Sequence, residues 1–178
     1  MLLSIVVPVY NEEENIANFY KAVTDVMSGL TYDYELIFVD DGSSDSSAMI
    51  LREIAFNDKH VKVLLLARNF GHQTALTCGL DYAHGDAVIT MDGDMQHPPA
   101  LIPELVRLWE SGYDVVRTIR DSTDDASWAK SFTSKYYYKL MNKMADVPIV
   151  EGGSDFRLMN SKALGTLKRF REHGRFLR

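Results

Sequence analysis

The chain has 178 residues, 46% of them hydrophobic and 25% charged, with a formal net charge of −6. That length and apolar content suffice for one globular domain with a real core, and the acidic balance gives no reason to expect a nucleic-acid partner. A single cysteine, Cys78, excludes an internal disulfide, and its apolar neighbours favour a buried thiol over a reactive one. No run approaches the ~20 apolar residues a spanning helix needs, and the start lacks the basic region of a signal peptide.

Taken in chain order, Leu2 to Val9 reads as a buried strand running into Pro8-Val9-Tyr10-Asn11-Glu12. Ile16, Phe19, Tyr20, Val23, Val26 and Met27 then recur at helical spacing, with Asn11 the expected N-cap and Glu14 its capping-box partner. Tyr34 to Val39 is a second strand, ending in Asp40-Asp41-Gly42-Ser43-Ser44-Asp45 and again followed by a helical pattern. Val61 to Ala67 is a third, leading through Arg68-Asn69-Phe70-Gly71-His72 to a helix near Gln73 to His84. A fourth apolar run, Val88-Ile89-Thr90-Met91, ends in Asp92-Gly93-Asp94-Met95-Gln96. Pro98, Pro99 and Pro103 open a helix whose Leu101, Leu105, Val106, Leu108 and Trp109 form an apolar face, closed by Ser111-Gly112, and Tyr113 to Ile119 is another strand. Arg120 to Ser127 reads as a polar loop, and Trp128 to Ala145 as a helix with a basic face of Lys130, Ser134, Lys135, Lys139 and Lys143. With no repeat or linker, residues 1–178 are expected to form a single domain.

Strands alternating with helices imply a doubly wound α/β fold with a mostly parallel sheet, in which ligands bind beyond the carboxyl ends of the strands. Asn11/Glu12, Asp40/Asp41, Arg68 and Asp92/Asp94 all fall on that edge. Two carboxylates one residue apart suit a hard divalent cation, Mg²⁺ or Mn²⁺, which is commonly held by one or two carboxylates plus substrate phosphates. Gly93 removes bulk where a diphosphate would approach. Asp and Gly are also ordinary turn residues, and a plain turn competes with the metal reading. Charge changes sign along the chain: residues 1–116 hold 6 Lys/Arg against 18 Asp/Glu, and residues 117–178 hold 13 against 7.

Four motifs together resemble a family-2 glycosyltransferase with the A-type fold: Ser4 to Glu12, Val39 to Asp45, Asp92-Gly93-Asp94-Met95-Gln96-His97-Pro98-Pro99, and Gly153-Ser154-Asp155-Phe156-Arg157-Leu158. Within that family the chain is most similar to polyprenyl-phosphate sugar transferases, such as dolichol-phosphate mannose synthases and bactoprenol glucosyltransferases. The resemblance implies an inverting, metal-dependent enzyme that moves a sugar from a nucleotide sugar, UDP-glucose first and GDP-mannose second, to a polyprenyl phosphate. It implies that Pro8, Tyr10, Glu12, Asp40 and Asp92 line the nucleotide, with Asp92 and Asp94 at the diphosphate and Asp94 the better metal ligand. It places Gln96 at the acceptor or sugar, Arg120, Lys130 and Ser134 at the lipid phosphate, and Asp155 opposite the reacting sugar as a catalytic residue beside Asp94. An N-terminal helix cap after Gly152-Gly153-Ser154 is the bland alternative for Asp155.

Relatives of this branch continue into transmembrane helices. The expectation is therefore a soluble catalytic domain, truncated before its membrane part and working at the cytoplasmic face of a bacterial inner membrane. Homo-oligomers would form through that missing part. Two other readings stay open: a haloacid-dehalogenase-like phosphatase, although Gln96 stands where that family wants Thr or Val, and a non-catalytic nucleotide-binding domain of the same fold. A dehydrogenase is disfavoured because no Gly-x-Gly-x-x-Gly follows the first strand.

Overall fold

The computed structural model describes residues 1–119 and 153–169. Its strands are β1 (Leu2–Val9), β2 (Asp33–Asp40), β3 (Val61–Leu65), β4 (Ala87–Thr90), β5 (Val115–Ile119) and β6 (Gly153–Asn160), in the sheet order β3-β2-β1-β4-β6-β5. The described helices are α1 (Ile16–Ser28), α2 (Ser47–Asn57), α3 (His72–Tyr82), α4 (Ile102–Glu110), which follows a 3₁₀ turn at Pro99–Leu101, and α5 (Ser161–Arg169). The chain divides into two units, and the site lies in the first, Met1–Arg117 with the segment from Asp155; most of the second, Thr118–Ser154, is outside the described residues.

Burial on both faces explains why the strands read as continuous apolar runs. Side chains alternate along β1: Leu3, Ile5 and Val7 pack with Phe19 and Val23 of α1, Leu51 of α2 and Leu105 of α4. Val6 joins Ile37, Val39 and Val88 against Ala75, Leu76 and Leu80 of α3 and Leu164 of α5. A Cβ at Gly79 would stand 2.3 Å from Val6 Cγ1, so only glycine lets α3 lie this close to the sheet.

The pairs β1–β2, β2–β3 and β1–β4 are parallel, as expected. The pair β4–β6 is antiparallel, with Thr90 opposite Arg157. Two consequences follow for the site. Strand order reverses between β1 and β4, which opens a crevice beyond their carboxyl ends. The antiparallel run of β6 then brings its early residues, Asp155 among them, to the same edge.

Several boundaries differ from expectation. α1 starts at Ile16 behind Asn15, not at Asn11. Asn11 instead adopts a left-handed φ of 54°, and its side-chain oxygen accepts the Ser44 N–H at 2.9 Å, a tertiary bond that competes with capping. β3 stops at Leu65, two residues short of Ala67, and α3 gains His72 at its start. Asp155 lies in β6, which excludes the helix-cap alternative. Burial, then Asp81, pushes the half-buried Cys78 thiol up, in keeping with an unreactive group. The Arg120 loop and the Trp128 helix lie outside the described residues.

Candidate active site

The first two strand ends are sewn together by polar side chains. Asn11 N–H donates to Ser43 Oγ at 2.9 Å and Glu12 N–H to Ser47 Oγ at 2.9 Å. Glu13 N–H donates to Asp45 Oδ2 at 3.2 Å, and Ser46 N–H to Glu13 Oε2 at 2.8 Å. This fixes the loop after β1 against the loop after β2. It leaves Tyr10 exposed, Pro8 and Asp40 buried, and Glu12 half-buried with its carboxylate accepting from Asn15 Nδ2 at 2.6 Å. Four of the five residues expected at the nucleotide therefore share one edge, and the fifth, Asp92, follows the end of β4.

The neighbouring carboxylates Asp40 and Asp41 do different work. Asp41, 3% exposed, accepts Phe70 N–H on Oδ1 at 2.8 Å and Gly71 N–H on Oδ2 at 2.9 Å. Among the described residues the Asp40 carboxylate receives only Ser43 N–H, at 3.4 Å. Gly42, at φ 70°, lets the loop after β3 close onto this point, since a Cβ there would meet the Arg68 carbonyl carbon at 2.4 Å. The Arg68 guanidinium lies 4.5 Å from the Phe70 ring centroid, a cation–π contact at the rim. The loop so fixed delivers His72, the first residue of α3, to the carboxyl edge.

There His72 meets the end of β4. Its Nε2 lies 2.8 Å from Asp92 Oδ1 and its Nδ1 3.9 Å from Asp155 Oδ2. Asp92 Oδ2 also faces His97 Nδ1 at 3.6 Å. Asp155 is buried, its Oδ1 accepts Arg157 Nη2 at 2.7 Å, and its backbone carbonyl accepts the Thr90 hydroxyl at 2.5 Å. One ligand-type atom from each of His72, Asp92 and Asp155 lies within 4.8 Å of the other two. Asp94 is turned into the following bend, where its Oδ1 accepts Gln96 N–H at 3.0 Å and Met95 takes a φ of 61°.

Of the residues singled out from sequence, Asp92 and Asp155 converge, and Asp94 and Gln96 bond to each other beside them. Arg120, Lys130 and Ser134 lie outside the described residues. Sequence reasoning missed His72, because no fixed spacing ties a lone histidine after β3 to a carboxylate motif after β4. The signal that could have found it was its place on the strand-end edge, straight after Arg68-Asn69-Phe70-Gly71. Chemically the set fits a divalent cation: two carboxylates supply hard oxygen donors and the imidazole a nitrogen. Asp92 and His72 stand open enough to reach one, with side chains 24% and 39% exposed.

The family model described as "Glycosyl transferase family 2" matches residues 4–167. The chain belongs to glycosyl transferase family 2. It is 44% identical over 175 residues to the uncharacterized glycosyltransferase YkcC of Bacillus subtilis, covering 98% of this chain and 54% of that protein. It is 40% identical over 178 residues to the bactoprenol glucosyl transferase of Shigella phage SfV, covering 100% of this chain and 58% of the relative. The chain thus spans about half the length of the curated relatives it matches. Among solved structures, the mannosyltransferase PcManGT of Pyrobaculum calidifontis, in complex with GDP-Man and Mn²⁺, superposes with a TM-score of 0.62 at 20% identity, over 93% of this chain and 46% of that one. This likeness establishes the A-type glycosyltransferase fold that the four motifs implied. The family-2 resemblance is borne out.

Proposed function

We propose that this family-2 glycosyltransferase moves a glucosyl group from UDP-glucose, or failing that a mannosyl group from GDP-mannose, to a polyprenyl phosphate with inversion. The observation that carries this reading is the 40% identity to a bactoprenol glucosyl transferase along all 178 residues. In the reaction a phosphate oxygen of the lipid attacks the anomeric carbon, the bond from that carbon to the diphosphate oxygen breaks, and the nucleoside diphosphate leaves with the bonding pair. The attacking oxygen is already largely anionic at neutral pH, so little general-base help is required. Asp155, its charge compensated by Arg157, therefore orients the reacting sugar and not a proton. Pro8, Tyr10, Glu12 and Asp40 hold the nucleoside, with carboxylates accepting from ribose hydroxyls or base N–H groups.

Asp92 and Asp94, with His72 beside Asp92, are the residues that would hold Mg²⁺ or Mn²⁺. When bound, such an ion neutralises charge developing on the departing diphosphate. Arg120, Lys130 and Ser134 take the acceptor phosphate, and the basic second half of the chain lies against anionic headgroups at the cytoplasmic face of a bacterial inner membrane. No helix among the described residues is long and apolar enough to cross a bilayer.

The test is calorimetric titration with UDP, GDP and their sugars in the presence of Mn²⁺ or Mg²⁺, followed by transfer of labelled sugar to undecaprenyl phosphate. Metal-dependent UDP binding with labelled lipid product supports the reading. Aryl-phosphate hydrolysis would point to a phosphatase, and nucleotide binding without transfer to a non-catalytic domain.

A further inference from the structure

We infer that His72 is a nitrogen ligand of the divalent cation and that it disfavours magnesium relative to first-row transition ions. This role presupposes the metal-assisted nucleotide-sugar site proposed above. His72 belongs to none of the four motifs; it arrives from another strand–helix unit, and the fold holds it in place with some care. Asp41 fixes the two residues before it through Phe70 N–H and Gly71 N–H, Gly71 takes a φ of 94°, and His72 then opens α3.

Its ring presents one nitrogen to each carboxylate, Nε2 to Asp92 at 2.8 Å and Nδ1 to Asp155 at 3.9 Å. An ion takes one ring nitrogen, and with bonds of about 2.1 Å its adjacent ligands stand about 3 Å apart. The 2.8 Å between His72 Nε2 and Asp92 Oδ1 meets that spacing with a shift of a few tenths of an ångström, while Asp155 keeps its ion pair with Arg157. His97 is the rival nitrogen, at 3.6 Å from Asp92 Oδ2, but its ring packs against Phe156 with centroids 5.7 Å apart, and its side chain is 14% exposed against 39% for His72. Selectivity follows from donor chemistry. Mg²⁺ takes oxygen ligands in near-ideal octahedra and dehydrates reluctantly, whereas affinity for nitrogen-bearing sites rises along the first-row series from Mn²⁺.

The experiment loads the full chain with Mn²⁺ and UDP and reads electron spin-echo modulation from nitrogen coupled to the manganese, together with Mn²⁺ and Mg²⁺ affinities by calorimetry. The expected result is ¹⁴N modulation in the parent and in His97→Gln, and none in His72→Gln. His72→Gln should weaken Mn²⁺ binding at least about tenfold, since even outer-shell partners of metal ligands are worth roughly 10–100-fold, while Mg²⁺ affinity changes much less. Modulation that survives in His72→Gln, or equal weakening of both ions, would overturn the inference by reducing His72 to a hydrogen-bond partner of Asp92. Mn²⁺ bound by the parent without nitrogen coupling would also overturn it and leave the proposed function standing. A parent that binds neither ion with UDP present would overturn both.

Discussion

Asp41→Asn isolates the hinge on which the site is built. Asp41 satisfies two backbone N–H groups at 2.8 and 2.9 Å from a position 3% exposed to solvent. An asparagine keeps one acceptor oxygen and turns an NH₂ group toward the other N–H, so one charge-assisted bond becomes a neutral one and one donor is left buried. Bonds to charged groups are worth about 1.5–3 kcal/mol and an unsatisfied buried donor costs about 1–3 kcal/mol, which puts the loss at roughly 2–4 kcal/mol. For a chain of this size each kcal/mol lowers Tm by about 2–4 °C, so melting by circular dichroism should fall by roughly 4–16 °C. Asp40→Asn is the control: its carboxylate meets one N–H at 3.4 Å, so it should melt within a few degrees of the parent and lose nucleotide affinity instead. An Asp41→Asn protein that melts with the parent, or an Asp40→Asn protein that is the less stable of the two, would refute this division of labour.

Three further outcomes are expected. At the opposite edge of the sheet, burial pushes the Glu35 carboxyl up, but hydrogen bonds from Lys62, Ser4 and His84 N–H outweigh it and hold the group below its ordinary value of 4.5. A depressed folded value stabilises above the ordinary one and is lost as pH falls through the folded one, so urea midpoints should drop between about pH 6 and about pH 3 more steeply in the parent than in Glu35→Gln. Asp155→Asn should lower kcat by on the order of a hundredfold at saturating metal and donor, with donor KM little changed; a variant that loses only thermal stability would make Asp155–Arg157 a structural pair. Arg120→Ala should raise KM for polyprenyl phosphate and leave that for the nucleotide sugar alone, and the reverse pattern in steady-state assays would remove Arg120 from the acceptor site.

How legible the molecule was depends on which interactions are local. Buried parallel strands declare themselves as apolar runs, so β1 was read to the residue and β2 to within one residue at each end. Asp92 was singled out because a carboxylate at a strand end beside glycine is a local pattern. Asn11 was misread for the complementary reason: its side chain satisfies Ser44 N–H, 33 residues away in sequence, and that partner is invisible until β1 and β2 are paired. The adjacent Asp40 and Asp41 look equivalent in sequence, yet only one points at the loop after β3, because successive residues leaving a strand turn to opposite sides.

His72 is the sharpest case. Arg68, on the same strand-end edge, was the one nearby residue singled out, and the carboxylates that His72 faces, Asp92 and Asp155, lie 20 and 83 positions away. What joins the three is topology: β4 lies beside β1, β6 runs antiparallel to β4, and the loop after β3 is folded back by Asp41. Each of those is a long-range choice made by core packing. A site assembled from the ends of separate strands is therefore half written in local motifs, and the other half exists only once the sheet order is fixed. In such folds the residues most worth testing beyond a motif are the polar side chains on neighbouring strand-end loops that the sheet order brings within one ligand sphere.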